Sequence, residues 1–291
     1  MMYLLLMVLL NALLAALFKL FVRFRVDNFQ AIVVNYWVCV LTGSAFLGSF
    51  PVGAASLSRD WLGLCLLMGA GFISIFNLFA YCTRRDGITA ATVANKLSLV
   101  IPVLFSIVLY DEHPGLVQWL GIVLAFPAVY LASLPKASME KVSPHKHNLF
   151  WIVLLFIGSG LLDTAMKYAE QRYLATPSEQ ASYTIHLFFV AGTIGTLLLL
   201  FFLITGRMRF SWRNVAGGIA LGVPNYFSIY FMIRMLNSNF IQSSAMIPLS
   251  NVGVLVASSL IAMLFFGERP SARNKLGLLL SLIVIALLAM S

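Results

Sequence analysis

Four residues, Thr89, Thr92, Asn95 and Lys96, carry hydrogen-bonding or charged groups in the middle of an otherwise apolar run, GITAATVANKLSLVIPVLFSIVL, from Gly87 to Leu109. Their three- and four-residue steps put them on one face of a helix, as a single polar stripe. At about 1.5 Å of rise per residue, Lys96 lies roughly 13 Å from the start of the run, near the centre of a hydrocarbon core roughly 30 Å thick. An ammonium at that depth must face protein or an aqueous cavity, because lipid solvates neither the charge nor its protons. Pro102 lacks an N–H and cannot donate to the carbonyl of Ser98, so the sequence predicts a break and a free acceptor beside the stripe. The chemistry of such a stripe is binding: Lys96 for a carboxylate or phosphate, Asn95 and Thr92 for polar groups around it.

The elements that position the stripe follow from composition. The chain is 61% hydrophobic and 10% charged, with a mean hydropathy of +0.95, against roughly 25% charged residues in soluble domains. It reads as a polytopic all-α integral membrane protein. The net charge of +9 sits in short connections between apolar runs, where loops and lipid headgroups account for it; nucleic acid is not a partner. Cys39, Cys65 and Cys82 lie inside apolar runs without paired spacing and read as packing residues, neither a disulfide framework nor a metal site. The opening MMYLLLMVLLNALLAALF has no basic start and reads as a retained first span. Further spans are expected near 30–50, 61–83, 87–109, 116–134, 149–169, 181–205, 213–234, 240–266 and 274–290, ten transmembrane helices in all. Trp61, Trp119, Trp151 and Trp212 each fall near a span start, where an aromatic belt would hold them.

A polar linker, residues 135–148, divides the chain into a first five-helix repeat, 1–134, and a second, 149–291. At an offset of 156 positions Asn95 falls on Asn251, Glu112 on Glu268, Pro114 on Pro270 and Gly121 on Gly277, so that DEHPGLVQWLG matches GERPSARNKLG. An odd number of helices per repeat makes the second copy enter the membrane inverted, and inverted repeats place a site near the midplane. On the ninth helix Gln242, Ser244, Pro248 and Asn251 echo the stripe and proline of the fourth. Glu112 and Glu268, beside turn prolines, read as structural caps or gate contacts.

The ten helices, the five-plus-five repeat and the repeated glutamate turn resemble the drug/metabolite transporter (DMT) superfamily, in its EamA-like branch. The first copy departs from the usual pattern at Asp111, where glycine is common. The resemblance implies a secondary transporter of amino acids, nucleotide derivatives, sugars or similar metabolites, with helices 5 and 10 peripheral and the others lining a central cavity. Members are often drawn with both termini inside.

The substrate-binding candidates are Lys96, Asn95, Thr92, Asn251, Gln242 and Asn225. Asp163 and His186 are the candidates for carrying a coupled proton. Each has a plainer reading: Asp163 and Lys167, four apart, could neutralise each other, His186 could sit at a helix interface, and Asn225, like Asn11, Asn35 and Asn77, could hold helices together. No P-loop, HExxH or GxSxG motif is present, so the sequence indicates no enzyme, no cofactor and no metal. The connections after odd-numbered helices hold 14 Lys and Arg against 4 on the opposite side, which places both termini outside the cytoplasm of a plasma membrane, the inner membrane in a bacterium. The expected partners are a small-molecule substrate and membrane lipids; a monomer and a homodimer both fit. A flippase for a lipid-linked substrate and a non-transporting scaffold are the two other readings.

Overall fold

A computed structural model describes residues 1–85, 88–134, 149–238, 241–267 and 269–289, with only the backbone of Arg84, Ile88 and Thr89. The 135–148 linker, Glu268 and the side chain of Thr89 lie outside the described residues. The helices are α1 (Met2–Phe24), α2 (Asn28–Leu47), α3 (Leu62–Arg85), α4 (Ile88–Leu97), α5 (Val100–Leu109), α6 (Leu116–Ser133), α7 (Leu149–Tyr173), α8 (Pro177–Ile204), α9 (Trp212–Leu236), α10 (Ser243–Phe266) and α11 (Ala272–Ala289), with a 3-10 turn at Ala54–Ser58. No strand occurs among the described residues. Among the described residues ten spans are long and apolar enough to cross a membrane, α4 and α5 together forming the fourth.

The helix ends follow from local chemistry. Asp27 caps α2 by accepting from Gln30 N–H at 2.9 Å. Thr176 and Glu179 form a reciprocal capping box behind Pro177 at the start of α8, which satisfies donors that a helix start leaves orphaned. Asp111 and Gly267, 156 positions apart, both adopt left-handed backbone, with φ of 51° and 62°. An aspartate tolerates at the first turn the conformation that a glycine takes at the second.

The chain divides into two compact units: Met1–Ser74 with Ala165–Ser238, and Ile75–Thr164 with Asn239–Ser291. Each draws on both halves of the sequence. In the first unit α2 packs on α8 and α9, and α1 on α9. Trp61, Met68, Met166, Tyr183, Leu187 and Ile233 form a core there. Trp61 is thus buried, its ring edge-on to Tyr183 at 5.4 Å, and does not join a belt; Trp119 and Trp212 are exposed as expected.

In the second unit α6 packs on α11. A Cβ on Gly121 would meet Leu288, and a Cβ on Gly277 would meet the backbone of Ala132. Both pairings are related by the 156-residue offset, 121 to 277 and 132 to 288. The start of α6 therefore touches the end of α11 and the start of α11 touches the end of α6, an antiparallel, reciprocal contact. Asn274 fastens it further by donating to the carbonyls of Leu131, Ala132 and Leu134 at 3.1, 3.0 and 2.7 Å.

Candidate functional site

The fourth span breaks where Pro102 predicts. After α4 the chain turns at Ser98 and Leu99 before α5 begins. The carbonyl of Ser98 is not left free, as the sequence leads one to expect: it accepts from Ile101 N–H at 3.0 Å. A tighter three-residue turn replaces the bond that proline removes. The Ser98 hydroxyl in turn donates to the carbonyl of Asn95 at 2.6 Å, so the break is internally satisfied.

Gly160 of α7 lies against this break. A Cβ there would stand 2.6 Å from Ile101 Cδ1 and 2.8 Å from the carbonyl oxygen of Ser98, so only glycine permits this approach. Its neighbour Ser159 accepts a 2.9 Å hydrogen bond from the Asn95 side-chain amide. One turn further along α7, Asp163 is the electrostatic partner of Lys96. No direct hydrogen bond or ion pair joins the two among the described residues. Lys96 is half-buried and Asp163 exposed. Both lie inside spans, where a carboxylate facing lipid would be costly. Two opposite charges that interact without touching can admit a polar ligand between or beside them.

Lys167 takes Glu170 as its ion-pair partner, with the ammonium at 2.8 Å, and the other oxygen of Glu170 accepts from the Asn237 side chain at 2.9 Å. Lys167 and Glu170 are both buried, a satisfied structural pair in the first unit. Ser159, Glu170 and Asn237 were not picked out from sequence; the Gly158-Ser159-Gly160 triplet in α7 was the available signal for the first.

The remaining candidates fall in two places. Thr92 is half-buried on α4, one turn before Asn95. Gln242 is the N-cap residue of α10, with its side-chain oxygen buried and unpartnered among the described residues. Asn251, half-buried on α10, donates back to the carbonyl of Ile247 at 3.2 Å. These share the second unit with Lys96. Asn225 belongs to the first unit, where it donates to Asn35 at 3.2 Å. His186 is there too, with its Nε2 2.7 Å from the Ser56 hydroxyl, its Nδ1 2.7 Å from the carbonyl of Ser182, and its ring edge-on to Trp61 at 4.9 Å. Both ring nitrogens are engaged, as at a helix interface.

Glu112 anchors the start of α10. Its two carboxylate oxygens accept from the N–H groups of Ser243 and Ser244 at 2.9 and 2.8 Å. A negative charge on a helix N-terminus is favourable, and of the two roles open to Glu112 it takes that of the cap.

Residues 2–134 match the model of the EamA-like transporter family. The ten spans fit an integral multi-pass membrane protein, and EamA-like proteins are transporters. An uncharacterised protein of Haemophilus influenzae is 26% identical over 267 residues, covering 87% of this chain and 85% of the relative. One crystal structure matches with a TM-score of 0.75 and 15% identity over 99% of this chain and 98% of its own. That likeness carries the fold alone.

Proposed function

We propose that this EamA-like chain is a secondary transporter of a small polar or amphipathic metabolite, anionic or zwitterionic, that binds beside Lys96. The observation that carries the reading is a polar cluster inside the spans: Asn95, next to Lys96 on α4, donates at 2.9 Å to Ser159, one turn before Asp163 on α7. Lys96 attracts the carboxylate or phosphate of the substrate. Asn95, held by Ser159, and Thr92 shape the wall of the site, and Gln242 and Asn251 on α10 contribute further hydrogen bonds. Transport runs by alternating access, the two inverted repeats 1–134 and 149–291 exchanging the side to which the site opens. Asp163 is the carrier if a proton is coupled, since it stands one turn from Ser159 on α7, whereas both ring nitrogens of His186 are engaged.

The experiment is solute flux. Purified protein in liposomes should accumulate a compound that stabilises it in a thermal-shift screen of metabolites, and Lys96→Ala should not. Flux of a lipid-linked substrate alone would favour the flippase.

The loop charges support both termini outside the cytoplasm. A C-terminal alkaline phosphatase fusion is then active in a bacterial host and a green fluorescent protein fusion dark; the reverse pattern inverts the topology.

A further inference from the structure

Five arginines meet at one end of the first unit, on two turns that the sequence keeps far apart. Arg23 and Arg25 end α1, and Arg207, Arg209 and Arg213 flank the turn from α8 to α9; all five are exposed. A hydrogen-bond network locks the turns together. Asn214 accepts from Asp27 N–H at 2.9 Å and donates to the Gln30 side chain at 2.9 Å. Gln30 in turn donates to the carbonyl of Arg209 at 2.7 Å. The turns themselves are tight: Arg25 holds φ at 52° and Gly206 at 68°, and Arg207 N–H returns to Phe202 at 2.9 Å.

None of these five guanidinium groups pairs with a carboxylate among the described residues. The nearby acid, Asp27, is committed to capping α2. Exposed rings surround the cluster: Phe24 is 58%, Phe210 54% and Trp212 77% exposed, with Phe210 and Trp212 edge-on at 5.3 Å. Rings at span ends settle at headgroup level. Arginine offers a planar fork that binds phosphate in pairs of hydrogen bonds. A cluster of this charge at the end of a span attracts anionic lipid.

We propose that this corner of the first unit is a binding site for the phosphate of an anionic phospholipid headgroup, with Phe24, Phe210 and Trp212 against the acyl boundary. The test of this site does not depend on the transported substrate.

The test uses full-length protein in neutral detergent, titrated with dioleoyl phosphatidylglycerol, dioleoyl phosphatidylcholine or inorganic phosphate while the melting temperature is followed. Phosphatidylglycerol should stabilise the wild type and the other two should not. The variant Arg207→Gln/Arg209→Gln/Arg213→Gln should need roughly a hundredfold more phosphatidylglycerol for the same shift, taking the usual attraction per basic residue at an anionic surface. Arg59→Gln, at the start of the third span, should respond like wild type. If the triple variant does not fold, Arg23→Gln/Arg25→Gln carries the test, with a loss of roughly thirtyfold. Equal stabilisation by phosphatidylcholine, an unaltered response in the arginine variants, or an equal shift with inorganic phosphate alone would each overturn the proposal.

Discussion

The side-chain amide of Asn95 donates a 2.9 Å hydrogen bond to the hydroxyl of Ser159, and so fixes the turn of α4 that presents Lys96 beside the turn of α7 that presents Asp163. Both residues lie at marked stretches of their helices: Asn95 is in the last turn of α4, just before the break at Ser98 and Leu99, and Ser159 stands between Gly158 and Gly160. The close helix crossing and the two charges are thus one arrangement.

That arrangement gives Asp163→Asn opposite effects on two classes of ligand. Removing the carboxylate frees Lys96 from a competing charge, so a purely anionic ligand should bind several-fold more tightly. A zwitterion that also uses Asp163 for its ammonium should bind more weakly. Isothermal titration of wild type and variant with one stabilising compound decides between the two classes.

Glu112→Ala should destabilise the protein by roughly 2–4 kcal/mol, because two buried N–H groups of α10 lose their acceptor. Glu112→Gln retains one acceptor oxygen and should cost about half as much. Thermal unfolding in detergent measures both; a cost below that of an ordinary surface substitution would show that the cap contributes little.

The reciprocal contact of α6 and α11 predicts paired sensitivity. Gly277→Ala drives a methyl into the backbone of Ala132, which cannot yield as a side chain can, and should cost at least the roughly 1–3 kcal/mol of an overpacked core. Gly121→Ala meets the flexible Leu288 instead and should cost less. Equal, negligible losses would remove the close crossing.

Lys167→Met strips a buried Glu170 of its cation and should destabilise by roughly 3–5 kcal/mol, whereas Lys167→Met/Glu170→Leu should recover much of the loss. Asn237 keeps one hydrogen bond to Glu170 in the single variant, so the loss belongs at the lower end.

The spans were legible because a bilayer imposes one length and one polarity on each, and the break of the fourth span because Pro102 removes a specific donor. The 156-residue offset in the sequence reappears in the left-handed backbone of Asp111 and Gly267 and in the two glycine contacts of α6 and α11. Lys167 was not legible. Asp163 at four residues before and Glu170 at three residues after are both in reach on a helix, and the Glu170 that pairs with Lys167 is also held by Asn237, distant in sequence. The fate of the Ser98 carbonyl was equally hidden, because a proline dictates the missing bond and not the turn that replaces it. Trp61 lies near a span start like Trp119, Trp151 and Trp212, yet Tyr183 and His186, more than a hundred residues on, pack against it. The alternation of each compact unit between the two sequence halves is likewise a long-range outcome that no local pattern encodes.

The central claim is that Lys96 holds the substrate. The direct measurement is a thermal-shift screen of wild type and Lys96→Ala against the same library of anionic and zwitterionic metabolites, since a bound ligand raises the melting temperature by mass action. The account predicts at least one compound that stabilises wild type and leaves Lys96→Ala, folded and expressed to the same level, unmoved. Equal stabilisation of both proteins by every active compound would contradict it.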